Sequence, residues 1–417
     1  MNKFLLSAFL LGAVALKVVA LGPEDVRENQ DRFGGVYYAY PEQRALKATV
    51  TAPPKGYEPF YVSHYGRHGS RYLISDRDYE NVQRILADAK EAGALTPLGE
   101  DVLVRLDSVM IESQGRGGDL TPLGVRQHRG IAERMFRHYP QVFKGSPEVS
   151  ARSTTVIRCV LSMDAFCERL KELNPSIRTT RESSNRYMDY LNYHSPESNA
   201  FTGGDWRIFY RKFEDSRVKS DDFAKRIIAD DKYLERYVDP DALMWGLYWV
   251  AADAQNTENR IGFYDLFTPE EYYGLWETGN YHNYVVDSSS PESGGLVVEN
   301  ARNLLNNIIE SADLAIASGT NSATLRFGHD GNLQPLAAIL QLEGACPVVA
   351  DADSVADHYQ NFHVTPMAGN FQLIFFRNKA GEVIVKFLLN EEETAIPLTT
   401  DIYPFYKWND VKKFYQK

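Results

Sequence analysis

The chain has 417 residues, of which 44% are hydrophobic and 24% are charged, and its formal net charge at pH 7 is -11. A chain of this length exceeds what one hydrophobic core comfortably holds, so we expect a large α/β domain that carries a second lobe. An acidic protein repels polyanions, which argues against nucleic acid as a partner and requires any phosphate site to be a local basic pocket.

The N-terminus has the features of a signal peptide, which we predict over residues 1–20. Lys3 precedes an apolar run from Phe4 to Leu16, and small residues offer a cleavage site after Ala20. The run is too short to span a bilayer comfortably, and each later apolar run is brief and bounded by charged or turn residues. We therefore expect an exported protein, periplasmic or extracellular, without a membrane span.

The first string that points to chemistry is Ser-His-Tyr-Gly-Arg-His-Gly-Ser-Arg, at residues 63–71. It follows a short apolar run that predicts a buried strand, so the string occupies the turn at the end of that strand. A neutral imidazole attacks phosphorus, two guanidiniums hold phosphoryl oxygens, and Gly69 lets the backbone approach a ligand. The charges of Arg67 and Arg71 disfavour an imidazolium, so we expect His68 to stay unprotonated.

The next predicted elements are helices. Residues 78–92 have helical periodicity, and two later segments each begin with a threonine followed by a proline, at Thr96 and Thr121. Threonine accepts hydrogen bonds from first-turn amides as an N-cap, and proline fits the first helical position. We interpret both segments as helix starts.

A second basic string, Arg-Ser-Thr-Thr-Val-Ile-Arg at 152–158, follows a short predicted strand over 148–151. We predict that this string starts a helix. The strand would deliver Arg152 to the edge of the sheet, beside the free amides and the positive end of the helix, where an anion is stabilised. Arg158 is six residues further on, and we interpret it as structural or peripheral.

The segment 176–298 is rich in tyrosine, tryptophan and charged residues, and we predict that it forms an inserted, mainly helical cap lobe. Helical periods recur in 221–238, 240–254 and 269–278. Such a lobe would cover the catalytic surface and select substrates. Its basic residues are candidates for contacting extra phosphates: Arg178, Arg181, Arg186, Arg207, Arg211 and Lys212.

A third string follows the predicted strand at 323–327 and reads Gly-His-Asp-Gly-Asn-Leu at 328–333. Ligands of open α/β sheets lie outside the carboxyl ends of the strands, so His329 and Asp330 are expected to converge with the turn at 67–71. Towards the C-terminus, residues 371–377 and 382–389 alternate in strand fashion about a glycine-containing turn, which predicts a hairpin at a sheet edge.

Taken in order, these strings resemble the histidine acid phosphatases, branch 2 of the histidine phosphatase superfamily. The resemblance implies a mostly parallel central sheet flanked by helices, with 21–175 and 299–417 forming the α/β catalytic domain around the inserted cap lobe. It also implies that His68 becomes phosphorylated and that Asp330 donates the proton. The implied phosphate ligands are Arg67, Arg71, Arg152 and His329.

The resemblance implies a phosphomonoesterase that needs no metal or other cofactor and acts on a small phosphorylated partner. Residues 385–391 resemble a closing segment of the inositol polyphosphate phosphatases, which favours inositol polyphosphates such as phytate as substrates. A broad-specificity acid or sugar phosphatase is the nearer alternative. A non-catalytic phosphate-binding protein is the alternative of another class, although binding alone requires neither a nucleophile nor an acid.

The cysteines and histidines do not form a metal-binding pattern. Cys159 and Cys167 fall on one predicted helix about 12 Å apart, so they cannot bridge, and at most one disulfide to Cys346 is expected. His64 and His68 have helical metal-site spacing, but the glycines between and after them oppose a helix. We predict no metal site.

Overall fold

The computed structural model describes residues 20–416, so the predicted signal peptide lies outside the described residues except for Ala20. One mixed sheet runs through the described part of the molecule in the order β3-β2-β4-β1-β5-β6-β7, with β8 paired to β6. The strands are β1 Glu58–Arg67, β2 Glu148–Ser153, β3 Arg178–Ser183, β4 Asn321–Gly328, β5 Asn370–Arg377, β6 Val383–Leu389, β7 Glu392–Glu393 and β8 Phe405–Lys407.

Helices flank this sheet and build a second lobe beside it. Those before β4 are α1 Pro23–Glu28, α2 Glu42–Ala45, α3 Asp76–Glu91, α4 Pro97–Ser113, α5 Pro122–His138, α6 Ile157–Leu173, α7 Met188–Leu191, α8 Pro196–Thr202, α9 Trp206–Arg217, α10 Ser220–Ile227, α11 Asp231–Tyr237, α12 Pro240–Asp253, α13 Pro269–Asp287, α14 Leu296–Glu299 and α15 Arg302–Ser318. Those after β4 are α16 Asp330–Ile339, α17 Val355–His358, α18 Asn361–Val364 and α19 Trp408–Tyr415. No helix within 20–416 is long and apolar enough to cross a membrane.

The sheet has a parallel half and an antiparallel half. Strands β3, β2, β4 and β1 run parallel, and β5, β6, β7 and β8 extend the sheet antiparallel. The predicted fold class, a mostly parallel sheet flanked by helices, is confirmed. The predicted C-terminal hairpin is also confirmed, since β5 and β6 pair in register. Because Arg67 of β1 is opposite Gly328 of β4, the two strands end side by side.

The alternation of residues along β1 decides which helices cover each face of the sheet. Val62 packs with the inner residues of β2 and β4 against α5 and α6. Tyr61 and Tyr65, which point the other way, pack against α13, α15 and α16. Both faces of the central strands β1 and β4 are therefore buried over most of their length, as is usual for parallel sheets, whereas the edge strand β3 is mostly exposed.

The second lobe is helical as predicted, but its boundaries differ from the prediction. Strand β3 falls inside 176–298, yet it pairs with β2 and so belongs to the central sheet. Helices α3 and α4, which were assigned to the α/β domain, share a hydrophobic core with α10, α12 and α13. The lobe thus combines segments from before and within the predicted insertion, because amphipathic helices distant in sequence complete one common core.

The three cysteines are free. Cys159 and Cys167 are buried two turns apart on α6, in agreement with the prediction that they cannot bridge each other. Of the two outcomes left open for Cys346, the structure has the one without a disulfide.

Candidate active site

Two strand ends that are remote in sequence meet at one edge of the sheet. The His68 amide, directly after β1, donates to the Gly328 carbonyl at the end of β4 at 2.9 Å. His68 and His329 come directly after these strand ends, and their ring centroids are 5.7 Å apart. The structure therefore brings the turn at 67–71 and the string at 328–330 into one pocket, as the sheet topology predicts.

The start of α5 holds the first turn in place. Thr121 caps this helix by accepting from the Gly124 amide at 3.3 Å, as predicted for the threonine–proline starts. A Cβ on Gly69 would lie 2.5 Å from the Gly124 carbonyl oxygen, so only glycine permits this close approach. The Ser70 amide also donates to the Gln127 Oε1 at 2.8 Å. The turn at 67–71 is thus held by backbone packing and a side-chain hydrogen bond from the first turns of α5.

Arg67 is completely buried at the base of the pocket. Its Nη1 donates to the carbonyls of Val36 and Thr365 at 2.6 and 2.7 Å. Its Nη2 lies 3.3 Å from the Asp330 Oδ2. These contacts fix the plane of the guanidinium, while its Nε has no hydrogen-bond partner among the described residues. A buried donor without a partner is costly unless a ligand accepts from it.

Arg71 is held from the other side of the pocket by an aromatic ring. Its guanidinium carbon lies 4.7 Å from the centre of the Tyr37 ring, and its Nη1 donates to the Tyr37 hydroxyl at 3.1 Å. The same Nη1 donates to the Tyr72 carbonyl at 2.8 Å. Its Nε has no partner among the described residues, as in Arg67.

The third arginine of the pocket is Arg158, which corrects the sequence-based interpretation. Helix α6 begins at Ile157, five residues later than predicted, so Arg158 lies in its first turn, at the positive end of the helix. Its charge lowers the pKa of both His68 and His329, in each case after the larger effect of burial. The Arg158 Nε is buried and has no partner within the described chain.

Arg152, the predicted third ligand, lies elsewhere. It is paired in register with Arg326 on one face of the sheet, before the strands end. Its guanidinium donates to Glu182 and Tyr190 at 3.2 Å and lies 4.4 Å from the Tyr187 ring centre. The prediction placed Arg152 at the helix start, but the intervening residues 153–156 separate it from α6, so the first-turn position belongs to Arg158.

The surroundings of His68 favour a neutral, oriented imidazole. Its Nδ1 lies 2.9 Å from the Gly69 carbonyl oxygen, which only accepts, so Nδ1 carries the proton and Nε2 keeps its lone pair. Burial lowers the pKa of His68 well below its ordinary value, and the charges of Arg67, Arg158 and Arg71 lower that pKa further. The imidazole is therefore neutral at neutral pH and has a lone pair on Nε2.

His329 faces His68 across the pocket. Its Nε2 lies 3.2 Å from the Thr154 Oγ1, and its backbone amide donates to the Tyr65 hydroxyl at 3.2 Å. Burial, together with the charge of Arg158, lowers the pKa of His329 to about 4. A neutral His329 can donate one hydrogen bond to a bound oxyanion.

Asp330 begins α16 and faces the arginines. Burial by itself would raise its pKa, but the charges of Arg67, Arg71 and His329 outweigh burial and lower the pKa of this carboxyl. A phosphate dianion between the arginines would cancel part of their charge and restore the proton on Asp330. The protonation of this carboxyl is thus coupled to the arrival of an anion.

Asp287 is a second carboxyl beside the first, which the sequence analysis did not identify. A Cβ on Gly331 would lie 3.5 Å from its Oδ1, and a hydrogen bond from Asn283 holds its side chain. Burial and the charge of Asp330 raise the pKa of Asp287 to about 7. Its position at the end of α13 gives no signal in the sequence, because only the packing of α13 on α16 brings it to the pocket.

Most of the predicted cap residues have protein partners. Arg178 pairs with Glu148 at 2.8 Å, at the start of β3 and thus at the opposite end of the strand from the pocket. The others have these neighbours: Arg181 with Asp164, Arg211 with Glu214, Arg207 with the Thr202 carbonyl, and Lys212 with the Phe209 ring. Arg186 is exposed just after β3, next to Glu182 and Tyr187.

The pocket combines a neutral imidazole, three guanidiniums, a second imidazole and a carboxyl that responds to anions. This set holds a tetrahedral oxyanion and offers both a nucleophile and an acid to it. Among residues 20–416, no group of three or more histidine, cysteine or acidic side chains is arranged to hold a metal ion.

The chain matches a known protein family. The model of the histidine phosphatase superfamily (branch 2) matches residues 66–390. No curated protein sequence matches the chain significantly.

Among solved structures, a multiple inositol polyphosphate phosphatase of Bifidobacterium longum in complex with phosphate is 20% identical, with a TM-score of 0.75 over 92% of this chain and 97% of the other. The phytase of D. castellii is 17% identical, with a TM-score of 0.66 over 94% and 87%. The tartrate complex of Hafnia alvei phytase is 13% identical, with a TM-score of 0.52 over 87% and 97%.

Proposed function

Because this chain belongs to branch 2 of the histidine phosphatase superfamily, we propose that it is a phosphomonoesterase that acts through a phosphohistidine at His68. Family membership and the phytase-like neighbours support phosphatase activity. The observation that carries the proposal is the neutral His68 imidazole, whose free Nε2 shares a pocket with Arg67, Arg71, Arg158 and an acid.

In the first step, the Nε2 of His68 attacks phosphorus while the bond from phosphorus to the ester oxygen breaks. The bonding electrons pass to the leaving oxygen, which takes a proton from Asp330, and the alcohol departs. The three arginines and His329 stabilise the charge that spreads over the phosphoryl oxygens. The Nδ1 hydrogen bond to Gly69 keeps the ring in line throughout.

In the second step, water attacks the phosphohistidine. The Asp330 carboxylate takes a proton from that water, the bond from phosphorus to nitrogen breaks, and inorganic phosphate leaves. His68 returns to its neutral state and Asp330 to its protonated state, so the cycle balances. Since the arginines lower the pKa of Asp330, we expect activity to be highest at acidic to neutral pH.

Trapping of the intermediate tests the mechanism. Enzyme mixed with a ³²P-labelled ester and quenched in alkaline detergent, in which a nitrogen–phosphorus bond survives, should retain label on the chain. The His68→Ala variant should retain none and should lose turnover. Equal label in both proteins would show that His68 is not the nucleophile. A wild-type chain that binds phosphate but shows neither label nor turnover would favour a non-catalytic binding protein.

Two substrate classes fit this chemistry. The phytase and inositol polyphosphate phosphatase neighbours favour inositol polyphosphates as substrates, and one of them forms a complex with inositol hexasulfate. A broad-specificity acid or sugar phosphatase is the second candidate. It is favoured because Arg178, Arg181 and Arg211, which were candidates for binding extra phosphates, each pair with a carboxylate of the protein. Comparison of phosphate release from inositol hexakisphosphate and from a sugar monophosphate separates the two, and negligible release from the former excludes the phytase assignment.

We also propose that the protein is exported, on the basis of the signal-peptide pattern at 1–20. Expression of the full chain followed by N-terminal sequencing tests this. A mature N-terminus at Leu21 in the periplasmic or culture fraction is expected, and an uncleaved cytoplasmic chain would contradict it.

A further inference from the structure

A second cavity, of about 270 Å³, borders the phosphate pocket on the side of the helical lobe. We call it the aromatic cavity, because its wall is formed by Tyr210, Trp245, Tyr248, Trp249, Trp276 and His282. Its other described lining residues are glycine, valine and asparagine, so none of them is Asp, Glu, Lys or Arg. Its size and apolar wall with few polar groups are typical of small-ligand sites, near the lower end of their range.

The aromatic cavity and the phosphate pocket share one turn of the chain. Val36 lines the cavity, and its carbonyl accepts from the Arg67 Nη1 at 2.6 Å. The next residue, Tyr37, accepts from Arg71 and has its ring 5.5 Å from the ring of Trp249. The wall of the cavity is therefore in direct contact with the groups that hold phosphate.

The cavity also reaches the side of the pocket where the proton donor lies. Asn283 lines it and hydrogen-bonds to Asp287. Asp287 in turn lies beside Gly331, next to Asp330. In the proposed reaction the leaving oxygen faces Asp330, so the alcohol part of the substrate extends from that side of the phosphorus atom.

The wall is held in one arrangement. The rings of Trp245 and Trp249 are stacked with centroids 5.6 Å apart, and the Tyr248 hydroxyl donates to the Phe33 carbonyl at 2.8 Å. Trp245, Trp249 and Tyr210 are nevertheless only half-buried, which leaves part of their rings accessible. Burial and then the charge of Arg207, which does not line the cavity, lower the pKa of His282 to about 4, so the wall is uncharged at neutral pH.

We propose that the aromatic cavity is the subsite for the alcohol part of the substrate, and that it selects an uncharged ring, sugar or aryl, that carries a single phosphate. This inference rests on the proposed phosphomonoesterase function and assigns its substrate class. Aryl rings stack on aromatic side chains, and sugar rings pack their C–H faces against them. A second phosphate on that ring would enter a cavity whose lining offers no cation, and burial of an unpaired charge is strongly unfavourable.

The test compares esters with and without a ring in two variants, Tyr210→Ala and Trp245→Ala. We expect kcat/KM for phenyl phosphate and glucose 6-phosphate to fall about three- to tenfold, the value of a lost stacking contact. The value for glycerol 3-phosphate, which has no ring, should stay within about twofold. Neither Tyr210 nor Trp245 contacts the three pocket arginines, so inhibition by inorganic phosphate should be unchanged.

Phe209→Ala is the matched control, because Phe209 is the neighbour of Tyr210 on α9 but is 65% exposed. This variant should leave kcat/KM unchanged for all three esters. Trp245→Phe should restore most of the loss if the variant folds, and thermal unfolding of each variant reports its integrity.

Three outcomes would overturn the inference. Equal losses for all esters would show that the cavity acts only on folding or on the phosphate pocket. A wild-type preference for inositol hexakisphosphate that Trp245→Ala removes would show that the cavity accepts a polyanion. If no ester is hydrolysed and no phosphoenzyme forms, the proposed function fails. Binding to the cavity can then still be tested by the quenching of tryptophan fluorescence with phenyl phosphate, and no quenching would overturn the inference.

Discussion

The phosphate pocket and the aromatic cavity share the turn at 34–37, yet they differ in almost every physical property. The pocket concentrates arginine and histidine side chains at the ends of two adjacent strands, where backbone hydrogen bonds fix them. The cavity takes uncharged rings from α9, α12 and α13. The proposed reaction therefore assigns the anion to the charged pocket and the alcohol to the uncharged rings of the helices.

The largest expected effect concerns the acid, which lies where the two regions meet. Asp330→Asn should lower kcat for alkyl phosphates about 10²- to 10⁴-fold, since their leaving oxygen needs a proton. The loss for 4-nitrophenyl phosphate should be much smaller, because its leaving group departs as an anion. Steady-state kinetics with both esters checks this, and equal losses would mean that Asp330 supports the pocket instead of donating a proton.

The second prediction identifies which arginine belongs to the charged pocket. Arg158→Ala should lower kcat/KM about 10²- to 10³-fold for every ester, as expected for removal of a donor to the developing charge. Arg152→Ala is the matched control from the same string and should change kcat/KM less than about threefold. The reverse order of effects would restore the sequence-based assignment of Arg152.

The third prediction concerns two uncharged histidines that are buried below the charged pocket. His64 and His128 are buried side by side under the first turn, and burial lowers the pKa of each from 6.5 to about 3. Such histidines take up a proton only on unfolding. The free energy of unfolding is therefore unaffected by them above about pH 6.5, and it decreases as the pH falls towards 3. Each should cost about 1.4 kcal/mol of unfolding free energy per pH unit in that window.

Urea unfolding between pH 7 and pH 5 measures this slope. Replacement of one titrating ring, in His64→Phe, should make the slope less steep by up to about 1.4 kcal/mol per pH unit, while His68, His282, His329 and His363, whose pKa values burial also lowers, continue to contribute to it. An equal slope in the wild type and in this variant would mean that His64 is protonated or solvated in the folded state.

The smallest expected effect tests whether cations outside the pocket contribute to substrate recognition. The double variant Arg178→Ala, Arg211→Ala removes two paired cations, and exposed ion pairs contribute about 0 to 1 kcal/mol. Phosphate release from inositol hexakisphosphate and from glucose 6-phosphate should both stay within about twofold of wild type. A selective loss with the hexakisphosphate would contradict the proposed division between the charged pocket and the uncharged aromatic cavity, because it would show that a cation outside the pocket contacts this substrate.

Much of the pocket could be predicted because its chemistry is local in sequence. Arg67, His68 and Arg71 fall on one turn, and His329 and Asp330 on another, each directly after a strand that the apolar pattern indicates. Parallel strands place such turns at one edge, so convergence follows from topology. The position of Arg158 was missed because the exact start of α6 is not encoded in the apolar pattern, and a shift of five residues moves a side chain out of the pocket.

The aromatic cavity could not be predicted from the sequence. Its residues come from 34–36, α9, α12 and α13, and aromatic residues at helical spacing indicate a buried core as readily as a binding wall. The pairing of Arg178 and Arg181 with carboxylates could not be predicted either, since Glu148 and Asp164 lie on other elements.

The amino-acid sequence alone therefore determined the strands, the turns that follow them and the reactive groups on those turns, because backbone propensity and residue chemistry act over a few neighbouring positions. Only the tertiary structure decided which arginine completes the pocket, which cations are neutralised, and what kind of surface lies beside the pocket. Those properties depend on the direction of side chains from elements that are distant in sequence, and packing alone sets that direction.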